Sequence, residues 1–203
     1  MFFCVVRLKK KTMRFLLFSI ACCFCWMSNA QTWELQKSEK GIKVWTRPSD
    51  RAMDDSKVTA LIKADMNEVL TTLMNPMTYP KWQPKADQVT ILSESNGKIK
   101  YHMIVKTPVV ADRDVIVEIS QEKTSEGYTL PMTSDPDAIE EKEGIVRIPI
   151  YDGEYRLVQK SNGVEVTLEY STDPGGNVPA WLLGNSATKE PFEIFNGLKT
   201  YLE

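Results

Sequence analysis

The sequence predicts an α+β fold in which one curved antiparallel sheet is closed by a long C-terminal helix. Three observations carry this. Short alternating or valine-rich runs follow one another from Ile42 to Tyr170. The dipeptides Asn96-Gly97, Asp152-Gly153 and Asn162-Gly163 fall between consecutive runs and suit two-residue hairpin turns, which favour positive φ. After the turn Asp173-Pro174-Gly175-Gly176 the period changes to helical and stays so to Leu202. A meander with helices on one face is the economical way to bury both kinds of apolar surface.

The first thirty residues read as a cleavable secretory signal. Arg7, Lys9, Lys10, Lys11 and Arg14 form a basic start, and Phe15 to Met27 an apolar core of thirteen residues. That is short of the roughly 20 needed to span a bilayer. Ser28-Asn29-Ala30 supplies small residues for cleavage before Gln31, and Met13 opens a compact signal of its own. The expected organisation is 1–30 signal and 31–203 one domain, exported to a periplasm or the extracellular space. All four cysteines (Cys4, Cys22, Cys23, Cys25) lie in the signal. The remainder can therefore form no disulfide, thiolate metal site or cysteine nucleophile. Removing the signal leaves 20 Lys and Arg against 27 Asp and Glu, a net charge of −7. An acidic surface argues against nucleic acid as a partner.

The elements follow in order. Ile42–Arg47 and Lys57–Lys63 are the first strands. Val69, Leu70, Leu73 and Met74 lie at helical spacing, with Asp65 and Glu68 placed for a capping box. Tyr79 to Trp82 is a short turn or helical piece. Strands are then expected at Gln88–Ser93, Lys98–Lys106, Arg113–Gln121, Tyr128–Thr133, Ile145–Ile150, Tyr155–Gln159 and Val164–Tyr170. The stretch Thr133–Gly144, with five acidic residues from Asp135 to Glu143, reads as a solvated hairpin loop. Pro191 is expected to kink or break the last helix near Lys189.

Side-chain parity selects a concave face. Ile99, Tyr101, Met103 and Val105 share it, and Arg113, Val115 and Val117 continue it. Val166, Leu168 and Tyr170 add to it from the last strand, with Trp181, Phe192 and Phe195 covering it from the helix. The same residues would equally fill a solid core, since sequence gives no volume. His102, the only histidine, falls on the opposite face with the lysines and reads as an outward surface residue. Arg113 is placed to reach the cavity mouth, where Asp112, Asp114 or Tyr101 could partner it. It is either a structural ion pair or a handle for a ligand's polar head. No Gly-x-Ser-x-Gly elbow, His-Glu-x-x-His or phosphate-loop motif is present, so no catalytic residue, metal site or cofactor is assigned. Asp114, Glu118 and Glu169 are conceivable acids for a carboxylate-based enzyme, although parity sets the latter two on the outer face.

The run Asp173-Pro174-Gly175-Gly176-Asn177-Val178-Pro179-Ala180-Trp181-Leu182, with Pro191-Phe192 and Leu198-Lys199 beyond it, closely resembles the end of a START domain, the steroidogenic acute regulatory protein-related lipid-transfer family. Trp33 with Gly41-Ile42-Lys43-Val44-Trp45 resembles its opening. Asp112-Arg113-Asp114-Val115-Ile116 resembles its central Arg-Asp strand, and Gly153 to Tyr170 its penultimate hairpin. The resemblance covers nearly all of 31–203. It implies a helix-grip fold, a sheet wrapped around the C-terminal helix and enclosing a hydrophobic tunnel. It also implies a lipid or other small hydrophobic ligand, bound or transferred by a monomer with transient membrane contact. The superfamily also implies the alternative of a polyketide cyclase or hydrolase using the same cavity. A solid-core interaction domain is the third reading.

Overall fold

The computed structural model describes residues 32–203, so the signal reading lies outside the described residues. Eleven strands form one sheet: β1 Glu34–Glu39, β2 Ile42–Arg47, β3 Asp55–Ile62, β4 Ala86–Ser95, β5 Lys98–Val105, β6 Arg113–Ser120, β7 Glu122–Lys123, β8 Gly127–Ser134, β9 Val146–Arg147, β10 Ile150–Lys160 and β11 Gly163–Asp173. The order across the sheet is β1-β2-β3-β11-β10-β8-β6-β5-β4, with β7 beside β8 and β9 beside β6. Every pairing is antiparallel except β6–β9. Pairing of β3 with β11 joins the two ends of the domain, and β1 and β4 remain as open edges. This is a curved antiparallel sheet with a C-terminal helix, the helix-grip arrangement.

Two tight hairpins rest on left-handed residues. Lys40 and Gly41 (φ 53° and 73°) join β1 to β2, and Asn96 and Gly97 (φ 51° and 73°) join β4 to β5. A third, at Ser161-Asn162, joins β10 to β11. Asp152-Gly153 does not turn; both residues sit inside β10. Gly153 serves close approach instead, since a Cβ there would lie 2.3 Å from the Glu169 carbonyl oxygen and 2.6 Å from the Tyr170 side chain.

Helix α1 (Met66–Leu73) begins as its sequence predicts. Asp65 accepts from the Glu68 N–H at 2.9 Å, and the Glu68 carboxylate accepts from the Asp65 N–H. A 3₁₀ helix, Pro76–Lys81, brings Tyr79 into the core, edge-on to Trp82 and Tyr101 at 5.0 and 5.5 Å. The Tyr79 hydroxyl donates to the Leu73 carbonyl.

Helix α2 (Ala180–Leu202) runs unbroken through Pro191. The helix does not break there, and the lost hydrogen bond is repaired locally. Pro191 has no N–H for the Ala187 carbonyl, and the buried Ser56 hydroxyl of β3 donates to that oxygen at 2.8 Å. The second half of α2 then packs on β2 and β3, with Phe195 and Leu198 fully buried. Gly197 permits this closeness, since a Cβ would stand 1.9 Å from the Trp82 carbonyl oxygen.

Candidate functional site: a cavity under the first half of the C-terminal helix

Between the first half of α2 and the β5, β6 and β11 end of the sheet the helix does not pack down. A cavity of about 370 Å³ remains. The interior is therefore not packed solid. Met103 and Val105 reach it from β5, Arg113 and Val115 from β6, and Tyr170 from β11. Ile148 and Tyr151 flank them. From the helix, Leu182, Ser186, Glu190 and Ile194 recur every four residues and present one stripe to the space. The loop 107–110 and the segment 83–86 border it.

The turn that starts α2 is seated firmly. Gly175 and Gly176 take φ 65° and 60°, and the Asp173 carboxylate accepts from the Gly175 N–H at 2.9 Å. A Cβ on Gly175 would lie 2.4 Å from the Arg147 carbonyl oxygen. This glycine is required by contact as well as by φ.

Of the twelve residues expected to line a tunnel, six reach the cavity: Met103, Val105, Arg113, Val115, Tyr170 and Trp181. Trp181 stands at the rim, 65% exposed, and does not form a sealed roof. Tyr101, Val117, Val166, Leu168, Phe192 and Phe195 do not border it. They are buried in the closed core, where the second half of α2 meets the sheet. Parity was right about the face but says nothing about position along the helix. Phe192, for example, lies under the Lys37 ammonium, 3.7 Å from its ring centre. The helix stripe escaped a reading based on apolarity because Ser186 and Glu190 are polar; its four-residue spacing was the available signal.

His102 is not a surface residue. Its Nε2 lies 2.9 Å from Asp114, which also accepts from Arg147 at 2.8 and 3.0 Å. All three side chains are buried. Arg147 donates onward to the carbonyls of Pro136, Ile139 and Glu140. The acidic stretch after β8 is therefore tied back toward the outer face of β5 and β6, where Ile104 and Ile116 are also buried. The loop is anchored through its backbone to Arg147, while Asp137, Glu140, Glu141 and Glu143 stay exposed as a solvated loop requires. The anchor is illegible in the sequence because Asp114, which holds Arg147 in place, lies more than thirty residues upstream of it. Burial pushes the Asp114 carboxyl up, but the hydrogen bonds from Arg147 and His102 outweigh it and hold the group below the usual aspartate value.

Arg113 takes none of its expected partners. Asp112 is held by Lys106 at 2.8 Å, and Asp114 faces the opposite side of β6. The Arg113 guanidinium donates to the Ala111 carbonyl through Nη1, while Nε has no partner. Glu190 is an acid in the cavity wall, paired with Lys85 at 2.8 Å. Burial pushes the hydroxyls of Tyr151 and Tyr170 well above the ordinary tyrosine value, and the Glu190 charge adds to this. Both are neutral donors at neutral pH. Among the described residues no group of three His, Cys, Asp or Glu side chains is placed to hold a metal ion.

Residues 25–203 match the START domain family. The chain is 30% identical over 182 residues to an uncharacterized protein of Pseudomonas aeruginosa, covering 86% of this chain and 88% of that one. It is 27% identical over 187 residues to the phosphatidylcholine transfer protein of Bos taurus, covering 84% and 81%. The crystal structure of a STAR-related lipid transfer protein from Xanthomonas axonopodis superposes with a TM-score of 0.78 at 27% identity, covering 84% of this chain and 98% of that one. The chain belongs to the START domain family.

Proposed function

We propose that this protein binds a lipid or another small hydrophobic molecule in the cavity under α2, and carries it outside the cytoplasm. The observation that carries the reading is a cavity of about 370 Å³ with a mainly apolar wall, left open in a domain otherwise well packed. Relatives named for phosphatidylcholine transfer and lipid transfer support it. An apolar chain gains about 0.8 kcal/mol per buried CH₂ before association costs. Ten methylenes correspond to roughly micromolar binding without any special polar contact.

The exposed Val109 (82%) and Trp181 (65%) support transient membrane contact by a monomer at the cavity rim. Export rests on the composition of residues 1–30; cell fractionation with N-terminal sequencing should find Gln31 first. Binding without turnover is favoured by the pairing of the wall's acids with counter-charges, Glu190 with Lys85 and Glu193 with Lys189. The enzyme alternative rests on Glu190. It predicts that Glu190→Gln abolishes conversion of a polyketide-like substrate while binding persists.

The direct test is titration of delipidated protein with an environment-sensitive apolar probe. One saturable site at micromolar concentration, emptied by competing lipid, is expected. Absence of saturable uptake would end the reading.

A further inference from the structure

Among the described residues, the buried charged side chains come with counter-charges, apart from one. Asp55 holds Arg47, and Asp114 holds Arg147 and His102; in the cavity wall the half-buried Lys85 and Glu190 pair with each other. Arg113 is 4% exposed and has no carboxylate within ion-pair distance among the described residues. Among the described residues, its Nε is the buried side-chain polar atom that lacks any hydrogen-bond partner. The two neighbouring acids are already committed. Asp112 is bound by Lys106 and by the Thr107 N–H at 3.2 Å, and Asp114 serves the outer face.

An uncompensated guanidinium in a low-dielectric wall is costly unless something supplies the missing charge and acceptor. Arginine's planar fork matches a carboxylate in both geometry and charge. The two acids in the rest of the wall have cations of their own: Glu190 lies 2.8 Å from Lys85 and Glu193 3.7 Å from Lys189. Met103, Val105, Val115 and Ile148 are apolar, and Tyr151 and Tyr170 are neutral. The volume lies near the lower end of the roughly 300–1,000 Å³ typical of small-molecule pockets, which suits one chain rather than two.

We infer that the cavity selects a single-chain amphiphile with a carboxylate head, the head accepting from Arg113 and the chain lying along the Leu182–Ile194 stripe of α2. This rests on the hydrophobic-ligand reading above and names its substrate class.

The test compares dodecanoate, dodecanol and dodecyltrimethylammonium as competitors of an apolar fluorescent probe on the delipidated protein at pH 8, below their micelle concentrations. Dodecanoate should compete at least tenfold more tightly than dodecanol, and the cation most weakly. Arg113→Met should collapse the dodecanoate-to-dodecanol preference from at least tenfold to about one. Should that variant fail to fold, the wild-type series alone decides. Dodecanol equal to or tighter than dodecanoate on the wild type overturns the carboxylate assignment while leaving hydrophobic binding intact. Failure of all three to displace the probe overturns the assignment. Failure of the probe itself to bind removes the underlying reading.

Discussion

Replacing Ser56 tests how a helix passes through a proline without breaking. In α2 the Ala187 carbonyl has lost its N–H partner to Pro191 and takes the Ser56 hydroxyl at 2.8 Å instead. Both Ser56 and Ala187 are buried, so water cannot substitute. Ser56→Ala should therefore cost about 1–3 kcal/mol, the penalty of an unsatisfied buried acceptor. In a domain of this size each kcal/mol corresponds to roughly 2–4 °C in Tm. The diagnostic variant is Pro191→Ala, which restores an N–H at position 191 for the same carbonyl. In that background Ser56→Ala should cost about 1 kcal/mol less, since the acceptor is no longer orphaned. The assay is urea unfolding of the four proteins at one pH, compared at unchanged m-value. Equal costs of Ser56→Ala in both backgrounds would refute the repair, leaving the continuity of α2 unexplained.

Three further outcomes follow from the same geometry. Asp114→Asn, which strips the charge that Arg147 and His102 share, should destabilise the domain by about 3–5 kcal/mol in denaturant unfolding. Because the folded Asp114 carboxyl lies below its unfolded value of about 3.9, its contribution is present above pH 4 and is lost as pH falls through the folded value. The variant's stability should accordingly fall less steeply than the wild type's below pH 4. Gly197→Ala would stabilise an exposed helix by about 0.5–1 kcal/mol, but here its Cβ meets the Trp82 carbonyl. A loss of about 1–3 kcal/mol is expected, and the sign of the change decides. Val115→Phe extends a side chain into the cavity from a rigid strand. It should cut apolar-probe affinity at least tenfold with a Tm change under about 4 °C; undiminished affinity would place the ligand elsewhere.

Local chemistry made much of the fold readable. The Asp65–Glu68 capping box, the Asn96-Gly97 turn and the alternation of β5 and β6 each follow from neighbours within a few residues, and each is seen. Errors arose where a distant partner decides. Asp152-Gly153 reads as a turn, yet Gly153 is glycine so that β11 can approach. Pro191 reads as a break, yet Ser56, more than a hundred residues away, supplies the missing donor. His102 reads as outward, and is, but the chain folds back over that face. The site was half legible for a related reason. Strand parity selects a face, and six of the chosen residues border the cavity. Whether the helix above is pressed down or held off depends on tertiary contacts such as Gly197 on Trp82, which periodicity does not encode.

Occupancy of the space under α2 by a hydrophobic ligand is open to direct observation. Native mass spectrometry of the protein purified without detergent, with organic extraction of what it carries, tests this most directly. A discrete added mass at one ligand per chain is expected, lost in Val115→Phe and resolving on extraction to one class of single-chain lipid acid. A bare protein mass that stays bare after incubation with excess lipid would contradict it.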